Sequence, residues 1–318
     1  MLYLGEKELE TIGCPWDRAI DAIADTIDCM RNHDYAQPVK PFLRYRDELN
    51  RIIAMPAFVG GPFDVAGIKW IASFPHNVAR QLPRAHSVTV LNDSHTGVPT
   101  TVICTALLSI WRTAAVSGYV LKNYLRTRRF PRGLRVGICG DGPIGRAQQE
   151  VFAAVLGSQL AELRVFDVRP AEADPRPPRV RSERVTRWED AYDDADVFAT
   201  CTSSTKRYID RAPKPGSLHL NVSLRDYKSC TFEYFAGGLV VDDWTEVCRE
   251  DTDIEMFARE KGLAERDVAT LVEFRERCCG YPSDQPLMFN PMGLAVFDIS
   301  TAAWVRQKAI EGNMGVSL

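Results

Sequence analysis

The chain has 318 residues, 45% of them hydrophobic and 25% charged, an ordinary soluble-globular composition that argues against disorder. Its 39 basic and 42 acidic side chains leave a net charge of −3, which gives no global attraction for nucleic acid or an anionic membrane. No run reaches the ~18 apolar residues of a membrane span, because the best candidate, Thr100 to Trp111, is stopped by Arg112. The first residues lack a basic stretch followed by an apolar one, so no export signal is expected. Nine scattered cysteines and five histidines without ligand spacing point away from zinc and toward free thiols in a reducing cytoplasm.

A domain length of roughly 150 residues makes two domains the expectation. An entry strand is followed by an amphipathic helix over Trp16 to Met30, where Ile20, Ile23, Ala24 and Ile27 recur at helical spacing. Residues 36–110 then read as a strand-rich unit, with strands at Arg51–Pro56, Val65–Ile71 and Ser87–Leu91. A helix is expected from Ser109, with Ser109 as N-cap and Arg112 in its first turn. From Leu134 the pattern becomes strand, helix, strand: Leu134–Cys139, Ile144–Leu156, Leu163–Phe166. Further strands follow at Val197–Thr200, Leu218–Val222 and Leu239–Val241. That alternation implies a parallel sheet. Pro170, Pro175, Pro177 and Pro178 mark a surface loop, and residues 254–277 and Ala295 to Ile310 read as helical.

The motif with the clearest chemistry is Gly140-Asp141-Gly142-Pro143-Ile144-Gly145. It follows an apolar strand and opens a helix, and the next strand ends at Asp167, twenty-two residues after Gly145. Gly140 allows the tight turn, Gly142 lets backbone approach a pyrophosphate, and Gly145 lets helix pack on strand. The helix N-terminus supplies amide donors and partial positive charge for phosphates. Asp167 suits the ribose hydroxyls and repels a 2′-phosphate, which favours NAD over NADP; Arg169 is the nearby residue that could serve such a phosphate.

Three cations precede this unit in apolar surroundings: Arg51, Lys69 and Arg112. A cation there must be paired or face a cleft, because burying it alone is costly. The run Lys122, Arg126, Arg128, Arg129, Arg132 and Arg135 spans a helix end, where cations are favoured, and is not taken as a nucleic-acid site.

Several segments together resemble the ornithine cyclodeaminase/mu-crystallin family over nearly the whole chain. They are Gly67-Ile-Lys69, Leu91-Asn-Asp93 with Gly97-x-Pro99, Arg112-Thr113-Ala-Ala115 with Ser117, the glycine loop, and Gly293-Leu-Ala with Asp298-Ile-Ser300. Gln37 to Arg44, Arg51 to Pro56, Val241-Asp-Asp-Trp244 and Asn290-Pro-Met292-Gly293 look more like one subgroup of that family. That subgroup oxidises the secondary amine joining a glutamate unit to a diaminopropionate unit and serves siderophore and peptide-antibiotic assembly.

The resemblance implies an α/β protein with a Rossmann-type NAD domain over 118–288. A strand-rich α+β substrate-binding and dimerisation domain is expected over 1–117, completed by 289–318. It also implies a cytoplasmic homodimer acting on a small amino acid, with no nucleic-acid or membrane partner and no metal. Asp226 and Lys69 are the implied catalytic residues, Asp226 handling protons and orienting water. Arg51, Lys69 and Arg112 match substrate-binding positions, and Arg44 and Arg84 are candidates for an additional carboxylate. Thr113, Thr202, Met292 and Gly293 join the glycine loop and Asp167 as implied cofactor contacts. A ring-forming cyclodeaminase, an alanine dehydrogenase or ketimine reductase, and a non-catalytic NAD or small-ligand binder remain the alternatives.

Overall fold

The computed structural model describes residues 1–128, 130–170 and 179–318. Arg129, Pro175, Pro177 and Pro178, named above, lie outside the described residues. The chain forms two compact units, Met1–Ala115 with Gly293–Leu318, and Val116–Met292.

The first unit is an eight-stranded sheet in the order Val316–Ser317, Leu2–Leu4, Pro99–Cys104, Ala85–Asp93, Val65–Ser73, Asp47–Val59, Tyr35–Ala36. Phe42–Tyr45 pairs with Asp47–Val59 as well. The pairing is antiparallel except where Leu2–Leu4 joins Pro99–Cys104. Helix Ala295–Glu311 packs against the strands Asp47–Val59, Val65–Ser73 and Ala85–Asp93 and against helix Trp16–Arg31. In Val65–Ser73 the alternation decides what each face carries: Lys69 is buried, while its neighbour Trp70 is 44% exposed on the other side.

The second unit is a wholly parallel eight-stranded sheet. Its order is Glu183–Arg184, Leu160–Phe166, Leu134–Cys139, Val197–Thr200, Leu218–Asn221, Leu287–Asn290, Leu239–Val241, Ala269–Thr270. Leu134–Cys139 has its sequence successor on one side and Val197–Thr200 on the other. Such a reversal opens a ligand crevice at the strands' carboxyl ends. The central strands are buried along their whole length, as an inner parallel sheet requires. Leu287–Asn290 was not foreseen, because a four-residue buried run has no periodicity to mark it.

Two expected helices differ. The helix expected from Ser109 is Leu107–Leu125. Thr105 Oγ1 accepts the Leu107 amide at 3.2 Å, so the chain turns helical earlier; Ser109 is inside the helix and Arg112 is in its second turn. The 254–277 segment is two helices, Asp253–Lys261 and Leu271–Arg277. Gly262, at φ 74, closes the first, and Thr270 caps the second. Among the described residues no helix is long and apolar enough to cross a membrane, and no cluster of three or more metal-ligating side chains occurs.

Candidate active site

In the second unit the glycine loop leaves Leu134–Cys139 and starts helix Pro143–Leu156. Gly140 has φ +102, and a Cβ there would lie 2.3 Å from the Cys201 carbonyl oxygen. At Gly145 a Cβ would meet the Gly140 oxygen at 1.8 Å, so both positions exclude side chains. A Cβ on Gly142, the helix N-cap, would have nothing within 4 Å. The loop is therefore tight on the protein side and open in front of the helix amides, which is the cradle a pyrophosphate needs.

Asp167 follows strand Leu160–Phe166. Its Oδ2 accepts the Asp141 amide at 2.7 Å and its Oδ1 the Arg169 amide at 2.8 Å. The Arg169 guanidinium lies 3.2 Å from Oδ2. Burial works against ionisation, but Arg169 and these amides outweigh it and hold the carboxyl below its usual range. Arg184 reaches Asp141 at 3.3 Å and also the Arg169 carbonyl. The donor set fits a dinucleotide with an unphosphorylated ribose, with Arg169 engaged by Asp167.

Thr202 sits just beyond strand Val197–Thr200, its amide bonded to Ser223 Oγ at 3.1 Å. Its hydroxyl donates to Asp226 Oδ1 at 2.6 Å. Asp226 is fully buried, and its second oxygen, Oδ2, has no hydrogen-bond partner among the described residues. Met292 donates its amide to Asp242 Oδ1 at 3.0 Å.

In the first unit Lys69 and Arg112 converge on one carboxylate. Lys69 Nζ and Arg112 Nε each lie 2.8 Å from Asp298 Oδ1, and Lys69 is also 3.4 Å from Ser109 Oγ. Asp298 is fully buried in the first turn of helix Ala295–Glu311, where the helix dipole favours an anion. Its Oδ2 is unpartnered among the described residues. Burial drives the Lys69 ammonium down to about 7, against the pull of Asp298 and with the help of Arg112 and Lys40. Two cations on one anion leave an excess positive charge that suits a carboxylate ligand.

Gly293, at φ +85, backs this cluster: a Cβ would lie 2.7 Å from an Arg112 guanidinium nitrogen, and its carbonyl accepts buried Lys40 Nζ at 2.7 Å. Thr113 turns its hydroxyl to the Ser109 carbonyl at 2.8 Å. Arg51 shares the face of Lys69, but the register sets it four residues along, about 13 Å away, over the Phe42 ring. Arg44 also lies over Phe42 and donates to the Glu48 carbonyl at 2.6 Å. Arg84 is on an exposed bend before Ala85–Asp93. Asp298 and Lys40 carry roles that sequence reasoning did not assign. The usable signal was each one's charge next to apolar neighbours, Ala295 to Ile299 and Pro38 to Leu43.

Residues 15–222 match the ornithine cyclodeaminase/mu-crystallin family. The N-((2S)-2-amino-2-carboxyethyl)-L-glutamate dehydrogenase of Staphylococcus aureus is 30% identical over 339 aligned positions, covering 100% of this chain and 98% of the relative. An alanine dehydrogenase of Archaeoglobus fulgidus is 25% identical, covering 99% and 97%. In fold, the chain superposes on the Δ1-pyrroline-2-carboxylate reductase of Thermococcus litoralis, solved with NADH and L-proline, with a TM-score of 0.87 at 23% identity and full coverage of both chains. The chain belongs to the ornithine cyclodeaminase/mu-crystallin family. Its named relatives are dehydrogenases and reductases, and with them it is an NAD-dependent oxidoreductase.

Proposed function

We propose that the protein oxidises N-(2-amino-2-carboxyethyl)-L-glutamate with NAD and water, releasing L-2,3-diaminopropionate, 2-oxoglutarate and NADH. The observation that carries this reading is the buried Lys69–Arg112–Asp298 cluster, with its excess positive charge, in a chain whose full length matches a dehydrogenase of that name. The substrate has three carboxylates. Lys69 and Arg112 are assigned to one of them, with Arg51, Arg44 and Arg84 the candidates for the others. Gly140, Gly142, Pro143, Ile144, Gly145 and Asp167 would hold NAD, with Thr113, Thr202, Met292 and Gly293 the further candidates.

The chemistry NAD supplies when bound is hydride acceptance from the glutamate α-carbon. Oxidation needs the amine nitrogen unprotonated, and hydrolysis of the resulting imine needs a water deprotonated and the departing nitrogen reprotonated. Asp226 is assigned to these transfers: Thr202 fixes one oxygen and leaves Oδ2 for the proton. Lys69, lowered to about 7 by burial, would be drawn to its charged form by the substrate carboxylate. A cytoplasmic homodimer feeding siderophore or peptide assembly completes the proposal.

The test is an amine panel followed by free NADH. The proposal expects NADH to accumulate with the glutamate–diaminopropionate amine and not with ornithine, alanine or proline. Ammonia and proline from ornithine without net NADH would assign cyclodeaminase chemistry instead. NADH from alanine, or NADH consumption with a cyclic imine, would assign the alanine dehydrogenase or ketimine reductase reading. No turnover by a folded, NAD-binding protein would leave a binder.

A further inference from the structure

The segment carrying Asp226 has its own support, buried in the second unit. Leu224 adopts φ +66, a left-handed conformation that is unfavourable for a residue with a side chain. It is held there from both sides: its amide donates to Asn221 Oδ1 at 3.1 Å, and its carbonyl accepts the Asp253 amide at 2.7 Å. The next two amides in this support, those of Asp226 and Tyr227, both donate to Asp253 Oδ2 at 3.1 Å. Asn221 Nδ2 reaches the same oxygen at 3.0 Å. Asp253 Oδ1 accepts Arg207 Nε at 2.7 Å, and Arg207 also engages Asp251.

Asp253 is fully buried at the start of helix Asp253–Lys261. A carboxylate in that position is an expensive way to gain stability, since apolar packing usually does as well. What it supplies is orientation. One oxygen holding two consecutive amides fixes the peptide plane between them, and with it the direction in which the Asp226 side chain leaves the backbone. Thr202 then fixes the rotation of the carboxylate. Burial raises the Asp253 carboxyl to about 6 despite four donors.

We propose that Asp253, anchored by Arg207, is a positioning residue for the reaction, setting the orientation from which Asp226 Oδ2 exchanges its proton. This rests on the assignment of Asp226 to proton transfer made above. Asp253→Asn keeps the shape but turns one acceptor edge into a donor, facing either the two amides or Arg207. A displacement on the order of 1 Å at a reacting group costs about a hundredfold in rate. The expected result is a fall in kcat of about 10- to 100-fold, with NADH affinity by fluorescence and KM for the amine within about twofold of wild type. In an Asp226→Asn background the same substitution should change kcat no further.

An equal loss in both backgrounds, a parallel fall in NADH affinity, or a wild-type kcat would overturn the proposal. If Asp253→Asn does not fold, Arg207→Gln is judged by the same criteria, and Arg207→Lys, which keeps the charge, should recover part of the rate. A folded Asp226→Asn protein with wild-type kcat would refute the reading of Asp226, and this inference with it. A slow Asp226→Asn protein whose partner substitution acts independently would refute the inference alone.

Discussion

With Lys69 assigned to a substrate carboxylate as proposed, substrate binding becomes a proton-linked event. The side chain is 1% exposed, and burial lowers its pKa from 10.5 to about 7, so half of the free protein carries neutral lysine at that pH. An anionic ligand favours the charged form and takes up a proton on binding. The apparent dissociation constant is the intrinsic one divided by the fraction of competent protein, so above pH 7 the affinity should fall by up to about tenfold per pH unit. Between pH 7 and pH 9 the charged fraction falls from one half to about one hundredth, a loss of about fiftyfold, near 2.3 kcal/mol. Calorimetric titration with 2-oxoglutarate in the presence of NADH, in buffers of different ionisation enthalpy, reads both the affinity and the protons taken up. Lys69→Arg should flatten the profile, since arginine stays charged throughout. Constant affinity from pH 6 to pH 9 in the wild type, or proton release on binding, would refute the reasoning. The sign for folding is the opposite of that for binding. A lysine whose folded pKa is depressed contributes stability present above the unfolded value, which is lost as pH falls from about 10.5 toward about 7.

Lys69→Ala and Arg112→Ala should each raise KM for the amine by roughly ten- to a hundredfold, the loss of a charge-assisted contact, while NADH affinity holds; wild-type kinetics in folded variants would remove them from the site. Asp167→Ser should raise the NADP-to-NAD ratio of kcat/KM by at least about tenfold by freeing Arg169, and an unchanged ratio would place cofactor choice elsewhere. Leu224→Gly relieves the left-handed backbone but removes a buried side chain worth about 2–5 kcal/mol, so chemical denaturation should show net loss of stability; a gain would refute that balance. Trp70→Glu, on the sheet face with exposed Leu43, should shift light scattering from dimer to monomer, and an unchanged mass would place any dimer contact elsewhere.

The fold class was legible wherever a local pattern carries the information. Trp16 to Met30 shows helical spacing, Leu134 to Cys139 is apolar, and the glycines that follow mark a turn too tight for side chains. Ser109 misled because a good capping residue lies inside a helix that Thr105 starts earlier. Residues 254–277 misled because apolar spacing continues across Gly262, where the backbone turns left-handed. The partners of the charged residues were illegible for a different reason. Lys69 meets Asp298 from the far end of the chain, and Asp253 meets the Asp226 segment through backbone amides, which no side-chain motif records. A buried charge in an apolar stretch announces that it needs a partner, but not which one.

The most direct measurement is product analysis of a single reaction. The protein, NAD and N-(2-amino-2-carboxyethyl)-L-glutamate are incubated together, NADH is read by absorbance, and the amino and keto acids by mass spectrometry. The proposed chemistry predicts one 2-oxoglutarate and one L-2,3-diaminopropionate for each NADH formed. Release of glutamate would place hydride loss on the other carbon attached to nitrogen, and an unconsumed amine beside folded, NAD-binding protein would contradict the assignment of this substrate.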